Sequence, residues 1–501
     1  MRVHFIGIGG IGVSALAQYY LAKSHRVSGS DLNSSEITKV LQKKGARIFT
    51  GKHKTGNLPK DADLVIYSPA VQSKNPELKA ARRFQVSPGR LLEQPARQAG
   101  FKLKVLSYPE ALGELTKQYF TIAVSGTHGK STTTAMIALI LIKAGLDPTV
   151  ILGTKLKEFG DSNFRMGKKL LRVVPRLVPR GSAILLIEAD EHFASFLNYC
   201  PKIIVLTNIE KDHLDYYKNL RNILKSFKKY IGHLPKDGCL IFNKDDKNIR
   251  KIIFGQSGNR IRNNGYRISI ISYSLKQKET KKLRKILKIP GEHNIYNALA
   301  ALTVARVLKI PDKVSYKALS EYKGSWRRFE IKKARFQVSP KGSLRLPTGQ
   351  AGFRFQVVSD YGHHPTEIRA TVKAAREKWP KKIIWLVFQP HQYQRTFYLF
   401  KNFVQIFRET LIEKWIDKLI ITDIYDVAGR EKRGIRKKVN SEKLVKRIKR
   451  TTSGFAQDVV YIPSSKNFKK ITDYLKRNLR SGEVVIVMGA GDIYKLTYPQ
   501  G

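Results

Sequence analysis

Two glycine-rich turns offer the most open chemistry in this sequence. Gly126-Thr127-His128-Gly129-Lys130-Ser131-Thr132 follows the apolar run Phe120–Val124 and opens a threonine-rich helical stretch. Glycines let the backbone turn tightly, so successive N–H groups wrap phosphate oxygens. A lysine at this place neutralises β- and γ-phosphates, and the serine hydroxyl is a magnesium ligand. The strict pattern wants glycine where Val124 stands, so the motif is imperfect, although its strand–turn–helix context is complete. The second turn is Gly7-Ile8-Gly9-Gly10-Ile11-Gly12, also between a strand and a helix. It suits close approach to a pyrophosphate. Asp31 follows after about 20 residues, the place of a ribose-binding acid. By itself this turn suggests NAD. A dehydrogenase needs one such turn and a simple ATPase the other. A ligase that joins a nucleotide-linked substrate to a third component with ATP needs both.

Holding these residues takes three α/β segments. Residues 1–117, 118–322 and 323–501 each alternate apolar runs with helical patterns, as largely parallel sheets do. Val3–Ile8, Val27–Asp31 and Leu64–Ser68 read as strands of the first, with Ile11–Lys23 a helix. Phe120–Val124, Ile184–Ile187 and Ile203–Leu206 read as strands of the second. Ile383–Phe388, Lys418–Thr422 and Val484–Met488 read as strands of the third. Residues 83–101 and 335–353 repeat one another: both open Arg-Phe-Gln-Val-Ser-Pro and close Gln-Ala-Gly-Phe. Their Pro and Gly content argues against regular structure, so both read as insertions in surface loops. The basic stretch Arg172–Gly181 reads as another.

Composition narrows the field. Lys and Arg number 93 against 39 Asp and Glu, a formal net charge of +54. Such an excess attracts polyanions without any specific site. The basic residues are spread along the chain, and neither a zinc-finger pattern nor an aromatic RNA-binding signature is present. The charge therefore reads as solvated surface, and no specific nucleic-acid partner is expected. No run approaches about 20 apolar residues, so no membrane-spanning helix is expected. The first residues run straight into a strand and glycine turn, without a secretory pattern. Cys200 and Cys239 exclude a disulfide framework and a cysteine-based zinc site. A cytoplasmic protein, monomeric or a weak homodimer, is expected.

Further motifs follow one another through nearly the whole chain. They are His4–Gly12, Ser28–Asp31, Ser125–Ser131, Glu188-Ala189-Asp190-Glu191, Thr207–Asp215 and Gly291–Ala298. Then come Arg327-Arg328-Phe329-Glu330, Asp360–Glu367, Phe388-Gln389-Pro390-His391 and Met488–Ile493. In this order they closely resemble the Mur ligases. The resemblance implies a Rossmann-like N-terminal domain, a central P-loop ATPase-type domain and a C-terminal Rossmann-like domain. Within the family the motifs are similar to the branch that joins L-alanine to the lactyl carboxylate of UDP-N-acetylmuramate. ATP would phosphorylate that carboxylate, and the amine would displace phosphate through a tetrahedral intermediate, in peptidoglycan precursor synthesis.

The resemblance also implies roles. Gly126, Thr127, His128, Gly129, Lys130, Ser131 and Thr132 would hold ATP, with Asn294 at the adenine. Arg328 and Asp360 would join from the C-terminal domain. Ser131, Glu188 and His213 would hold Mg²⁺; by residue type alone, Glu188 reads equally as an acid at a strand end and His213 as a capping histidine. Lys130, His213 and Arg328 would be catalytic. Gly9, Gly10, Ile11, Gly12 and Asp31 would bind the UDP-sugar rather than NAD. Tyr361, His363, His391 and Arg395 would surround L-alanine, Arg395 clamping its carboxylate. Two departures bear on this reading: Gln392 stands where the family commonly has arginine, and Ser359 where it has aspartate. Rival readings are a recycling ligase that attaches a tripeptide to the same UDP-sugar, a polyanion-binding protein and a dehydrogenase.

Overall fold

The computed structural model describes residues 1–86, 103–168, 179, 181–255, 268–337, 352–427, 431 and 434–497. Three sheets carry the chain. The first has β1 (Arg2–Ile6), β2 (Arg26–Asp31), β3 (Arg47–Thr50), β4 (Leu64–Tyr67) and β5 (Lys104–Ser107). They lie in the order β3-β2-β1-β4-β5, all parallel. The chain winds outward on both sides of β1, so a crevice opens at the C-terminal end of that strand, where Gly7–Gly12 lies.

The second sheet holds β6 (Phe120–Ser125), β7 (Thr149–Leu156), β8 (Ser162–Arg165), β9 (Ile184–Ala189), β10 (Ile203–Leu206), β11 (Cys239–Asn243) and β12 (Ser269–Tyr273). Their order is β12-β11-β10-β6-β9-β7-β8, with only β8 antiparallel to its neighbour. Every residue of β6, β10 and β11 is buried, which explains their unbroken apolar runs. The third sheet holds β13 (Glu330–Gln337), β14 (Gly352–Asp360), β15 (Ile384–Phe388), β16 (Lys418–Ile421), β17 (Val459–Tyr461) and β18 (Val484–Met488). Its order is β13-β14-β18-β15-β16-β17, and β13 alone runs antiparallel to its neighbour. Asp360, Met488 and Phe388 are in register across β14, β18 and β15, so the loops that follow them leave one sheet end together.

Packing gathers these sheets into two units. The first comprises Met1–Glu210, Leu220–Ile286 and Tyr296–Tyr322; the second comprises Lys211–Asn219, Leu287–Ile295 and Lys323–Gly501. Within the first unit, helix Ile11–Ala22 shows why the first two sheets pack as one body. Val13 to Tyr19 are all buried, on every side of the helix. A helix without a polar face must be covered all round. Sheet one covers one side and the β7–β8 hairpin the other, where Gln18 Nε2 donates to Asn163 Oδ1 at 2.8 Å. In the second unit, apolar clusters line both faces of the third sheet, one around Phe388, Phe403 and Phe407, the other around Trp385 and Ile471.

The repeated segments correct one expectation. Residues 87–101 and 338–351 lie outside the described residues, as do 172–178 and 180 of the basic stretch. The ends of both copies, however, belong to regular elements: Arg83–Val86 complete helix Pro76–Val86, whereas Arg335–Gln337 complete β13 and Gly352-Phe353 begin β14. Among the described residues no helix is long and apolar enough to cross a membrane.

Candidate active site

β6 delivers Gly126–Gly129 from the middle of the second sheet, between β9 and β10. The end of β10 stitches this loop in place. Thr127 N donates to Asn208 O, and His128 N to Asn208 Oδ1, both at 2.9 Å. Thr207 Oγ1 donates to His128 O at 2.6 Å, and Glu210 N to Thr127 Oγ1 at 2.9 Å. Gly129 precedes helix Lys130–Lys143 with φ at +83°, and a Cβ there would run into Asn297 Oδ1. Conformation and space both require glycine.

Lys130 is curled into its own loop. Nζ donates to Gly126 O at 2.7 Å, Thr127 O at 3.3 Å and Glu191 Oε2 at 2.7 Å. Burial by itself would lower its pKa, but the carboxylates of Glu191, Asp190 and Glu188 outweigh it and raise the value. The ammonium is therefore held charged. Ser131 Oγ donates to Glu188 Oε2 at 2.8 Å, while Gly153 N donates to the other oxygen at 2.6 Å. Glu188, at the end of β9, is thus aimed at Ser131. A hydroxyl and a carboxylate side by side form the hard oxygen donor set that suits magnesium. Thr132 is buried in the same turn.

The first glycine turn holds no cationic side chain. Gly7 takes φ +79°, and Gly7 N and Ile8 N both donate to Ser30 O. Asp31 Oδ2 accepts from Gly9 N at 2.8 Å. Asp31 therefore shapes the turn from inside and occupies one of its amides. Helix Ile11–Ala22 begins after Gly10 with no side chain capping it. The amides of its first turn have no intrahelical acceptor and suit an anion.

In the second unit the structure brings together all four residues expected around the amino acid. Tyr361 and His363 meet edge to face at 5.5 Å, His363 and His391 at 5.7 Å, and His391 stacks on Tyr425 at 5.6 Å. Arg395 Nη1 lies 3.1 Å from His391 Nδ1, and Arg395 Nε donates to Asp212 Oδ1 at 3.1 Å. Burial alone would raise Asp212, but Arg395 and three histidines hold its carboxyl well below the usual range. Of the five guanidinium N–H groups, one is thus committed to Asp212 and one faces His391. Burial and Arg395 push His363 down to about 4, so it is neutral at pH 7. Gln392 opens helix Tyr393–Tyr398 at φ +70°, its N–H bonded to Tyr425 O at 2.9 Å.

Arg328 lies 5.0 Å over the Tyr361 ring, its Nη1 4.0 Å from Glu367. Asp360 is buried and accepts from Phe329 N at 2.9 Å and Gly362 N at 2.7 Å. Arg327, which composition alone would leave on the surface, is buried. Its guanidinium lies 4.8 Å from the Tyr361 ring and 4.5 Å from the Tyr494 ring, and donates to the carbonyls of Gly489 and Gly491. His213 and Asn294, expected with the ATP loop, lie on the segments Lys211–Asn219 and Leu287–Ile295 of the second unit. His213 takes φ +51° with its N–H on Asp212 Oδ1 at 2.7 Å; Asn294 Nδ2 donates to Pro290 O at 2.6 Å.

Sequence reasoning gave no role to Glu191, Asn208, Asn297 or Asp212, although each sits inside a motif it singled out. Tyr425, and Glu431, whose carboxylate accepts from Tyr393 N and Gln394 N, carried no signal at all. Only the return of the chain after β16 brings them here.

Three family models match the chain in order: Mur ligase family, catalytic domain, over residues 2–99; Mur ligase middle domain over 124–305; and Mur ligase, glutamate ligase domain, over 346–491. UDP-N-acetylmuramate–L-alanine ligase of Acetivibrio thermocellus is 38% identical, covering 99% of this chain and 94% of that protein. The protein of that name from Aquifex aeolicus is 37% identical over 99% and 96%. Among solved structures, UDP-N-acetylmuramate–alanine ligase from Thermotoga maritima superposes with a TM-score of 0.69 at 24% identity, covering 99% of this chain and 97% of the other. A murein peptide ligase from Psychrobacter arcticus gives 0.63 at 21% identity, covering 98% and 96%. With its curated relatives aligned from end to end and its motifs in family order, the chain belongs to the Mur ligase family.

Proposed function

We propose that this enzyme joins L-alanine to the lactyl carboxylate of UDP-N-acetylmuramate at the expense of ATP. The observation that carries the reading is the pair of glycine turns in one packed unit. One presents a charged lysine beside an oxygen donor pair, the other presents neutral amides. End-to-end relatives of that name support the choice of substrates.

In this reading Gly126–Ser131 cradle the ATP phosphates, and Lys130 exchanges Glu191 and its loop carbonyls for the γ-phosphoryl oxygens. Ser131 and Glu188 would hold magnesium, which supplies charge neutralisation between ATP and the carboxylate when bound. The lactyl oxygen takes the γ-phosphoryl group and ADP leaves. The alanine nitrogen then attacks the acyl carbon, loses a proton, and the C–O bond to phosphate breaks. His213 joining the metal, Asn294 the adenine, and Arg328 and Asp360 the ATP belong to the same proposal. Neutral His363, His391 and the remaining N–H groups of Arg395 would line the amino-acid pocket. The enzyme works in the cytoplasm as a monomer or weak homodimer.

The test is phosphate release from ATP and magnesium, with and without UDP-N-acetylmuramate, across L-alanine, glycine, L-serine and the recycling tripeptide. Release that needs both the UDP-sugar and L-alanine, with an amide product by mass, is expected. Preference for the tripeptide would replace this reading with a recycling ligase.

A further inference from the structure

Tyr108 belongs to no motif so far given a role, yet it lies between the two glycine turns of the first unit. It is the first residue of helix Tyr108–Thr116, whose start is fixed by a reciprocal cap. Ser107 Oγ faces Glu110 N, and Glu110 Oε2 accepts from Ser107 N at 2.7 Å and Ser107 Oγ at 2.6 Å. From this start the phenol lies across Gly12. A Cβ added at Gly12 would stand 2.9 Å from Tyr108 Oη and 3.0 Å from its Cζ. Glycine at this position therefore leaves room for the ring as well as for the turn.

On its other side the phenol is within electrostatic reach of Glu188 and Asp190. Burial first, and then these two carboxylates, raise its pKa above the ordinary tyrosine value. The hydroxyl thus keeps its proton at every physiological pH. Among the described residues no side chain or backbone group hydrogen-bonds it. Tyr108 is half-buried, and its hydroxyl keeps a free donor beside the Gly12 turn. The acceptor is expected to arrive with a ligand. Glu188 and Asp190 would repel an anion from their side, so the acceptor lies on the Gly12 side.

We propose that Tyr108 is a positioning residue for the UDP-sugar: its hydroxyl donates a hydrogen bond to a diphosphate oxygen seated on the Gly9–Gly12 turn. The inference rests on the reading of that turn as the diphosphate site. By fixing the diphosphate beside Glu188, Tyr108 sets the direction in which the rest of the substrate extends.

The test compares wild type with Tyr108→Phe, which keeps the ring and removes only the donor. The readouts are the Kd of UDP by calorimetry, KM for UDP-N-acetylmuramate and for ATP, kcat and Tm. The Kd of UDP and the KM of the UDP-sugar should both rise about tenfold, as befits a hydrogen bond to a charged acceptor. The KM of ATP, kcat and Tm should stay close to wild type, a pattern that a merely structural role would not give. Unchanged UDP affinity in the variant overturns the proposal while the turn keeps its role. A fall in kcat with unchanged UDP affinity also overturns it, because the hydroxyl would then act at the reacting carboxylate. A wild-type enzyme that turns over but does not bind UDP overturns the reading of the turn itself, and the proposal with it.

Discussion

The two glycine turns of the first unit share a plan and differ in chemistry. Each leaves the C-terminal end of an inner strand of its sheet, and each opens a buried helix. At Gly7–Gly12 the protein spends the amides of Gly7 and Ile8 on Ser30, that of Gly9 on Asp31 and that of Gly10 on Gly7, and offers those of the helix's first turn as fixed, neutral dipoles. At Gly126–Ser131 it adds a charged Lys130, held by two carbonyls and a carboxylate that a ligand must displace, and the Ser131–Glu188 pair. Fixed dipoles stabilise a phosphate group whose charge does not change, which is binding. A charge with exchangeable partners stabilises one whose charge moves, which is catalysis. The same backbone device thus serves two ends, and the side chains decide which.

Lys130→Ala should break the comparison most strongly. With the charge gone, product formation should fall by about a thousandfold or more, while UDP binding stays within about twofold. Single-turnover assays and UDP calorimetry measure the two separately. Near-normal turnover would remove Lys130 from the chemistry. Gly129→Ala should act next. Its Cβ meets Asn297 Oδ1 at a positive φ, so the loop must shift, and misplacement of this kind costs about a hundredfold in rate. UDP affinity should again be spared. Asp31→Ala tests the other turn, because Gly9 N loses its acceptor. KM for the UDP-sugar should rise about fivefold with KM for ATP unchanged, and Asp31→Asn, which keeps an acceptor, should restore most of the loss.

Much of this was legible in the sequence because buried parallel strands announce themselves. Ile203–Leu206 and Val484–Met488 are strands with the bounds their apolar runs predict, and the glycine turns follow their strands as expected. Partners were less legible than positions. Nothing local says that Lys130 bonds Glu191, which the pairing of β6 with β9 brings beside it, or that Arg395 bonds Asp212 across more than a third of the chain. Helix Ile11–Ala22 shows no polar face, and the reason is the β7–β8 hairpin far along the chain. The repeat makes the point most directly. Arg-Phe-Gln prolongs a helix at 83–85 and a strand at 335–337, so the preceding element, not the tripeptide, decides its state.

Acid should separate both glycine turns from the histidine-lined end of the third sheet, with a smaller effect than the substitutions. Burial, with Arg395 nearby, pushes His363 down to about 4, and burial does the same to His293. An unfolded chain binds these protons near the ordinary value of 6.5, whereas the fold accepts them only near 4. The stability of the second unit is therefore whole above pH 6.5 and declines as pH falls toward 4. The depressed Asp212 adds its loss only below its ordinary value of 3.8, so the histidines dominate the upper window. Amide hydrogen exchange at pH 7, 6, 5 and 4.5, corrected for the intrinsic rate, should show protection in the second unit falling across this range. Replacing His293 and His363 by asparagine should flatten that fall without touching UDP affinity, since neither side chain belongs to the turns. A pH profile unchanged by the double substitution would mean that the two histidines do not drive the acid sensitivity of the unit that holds Arg395.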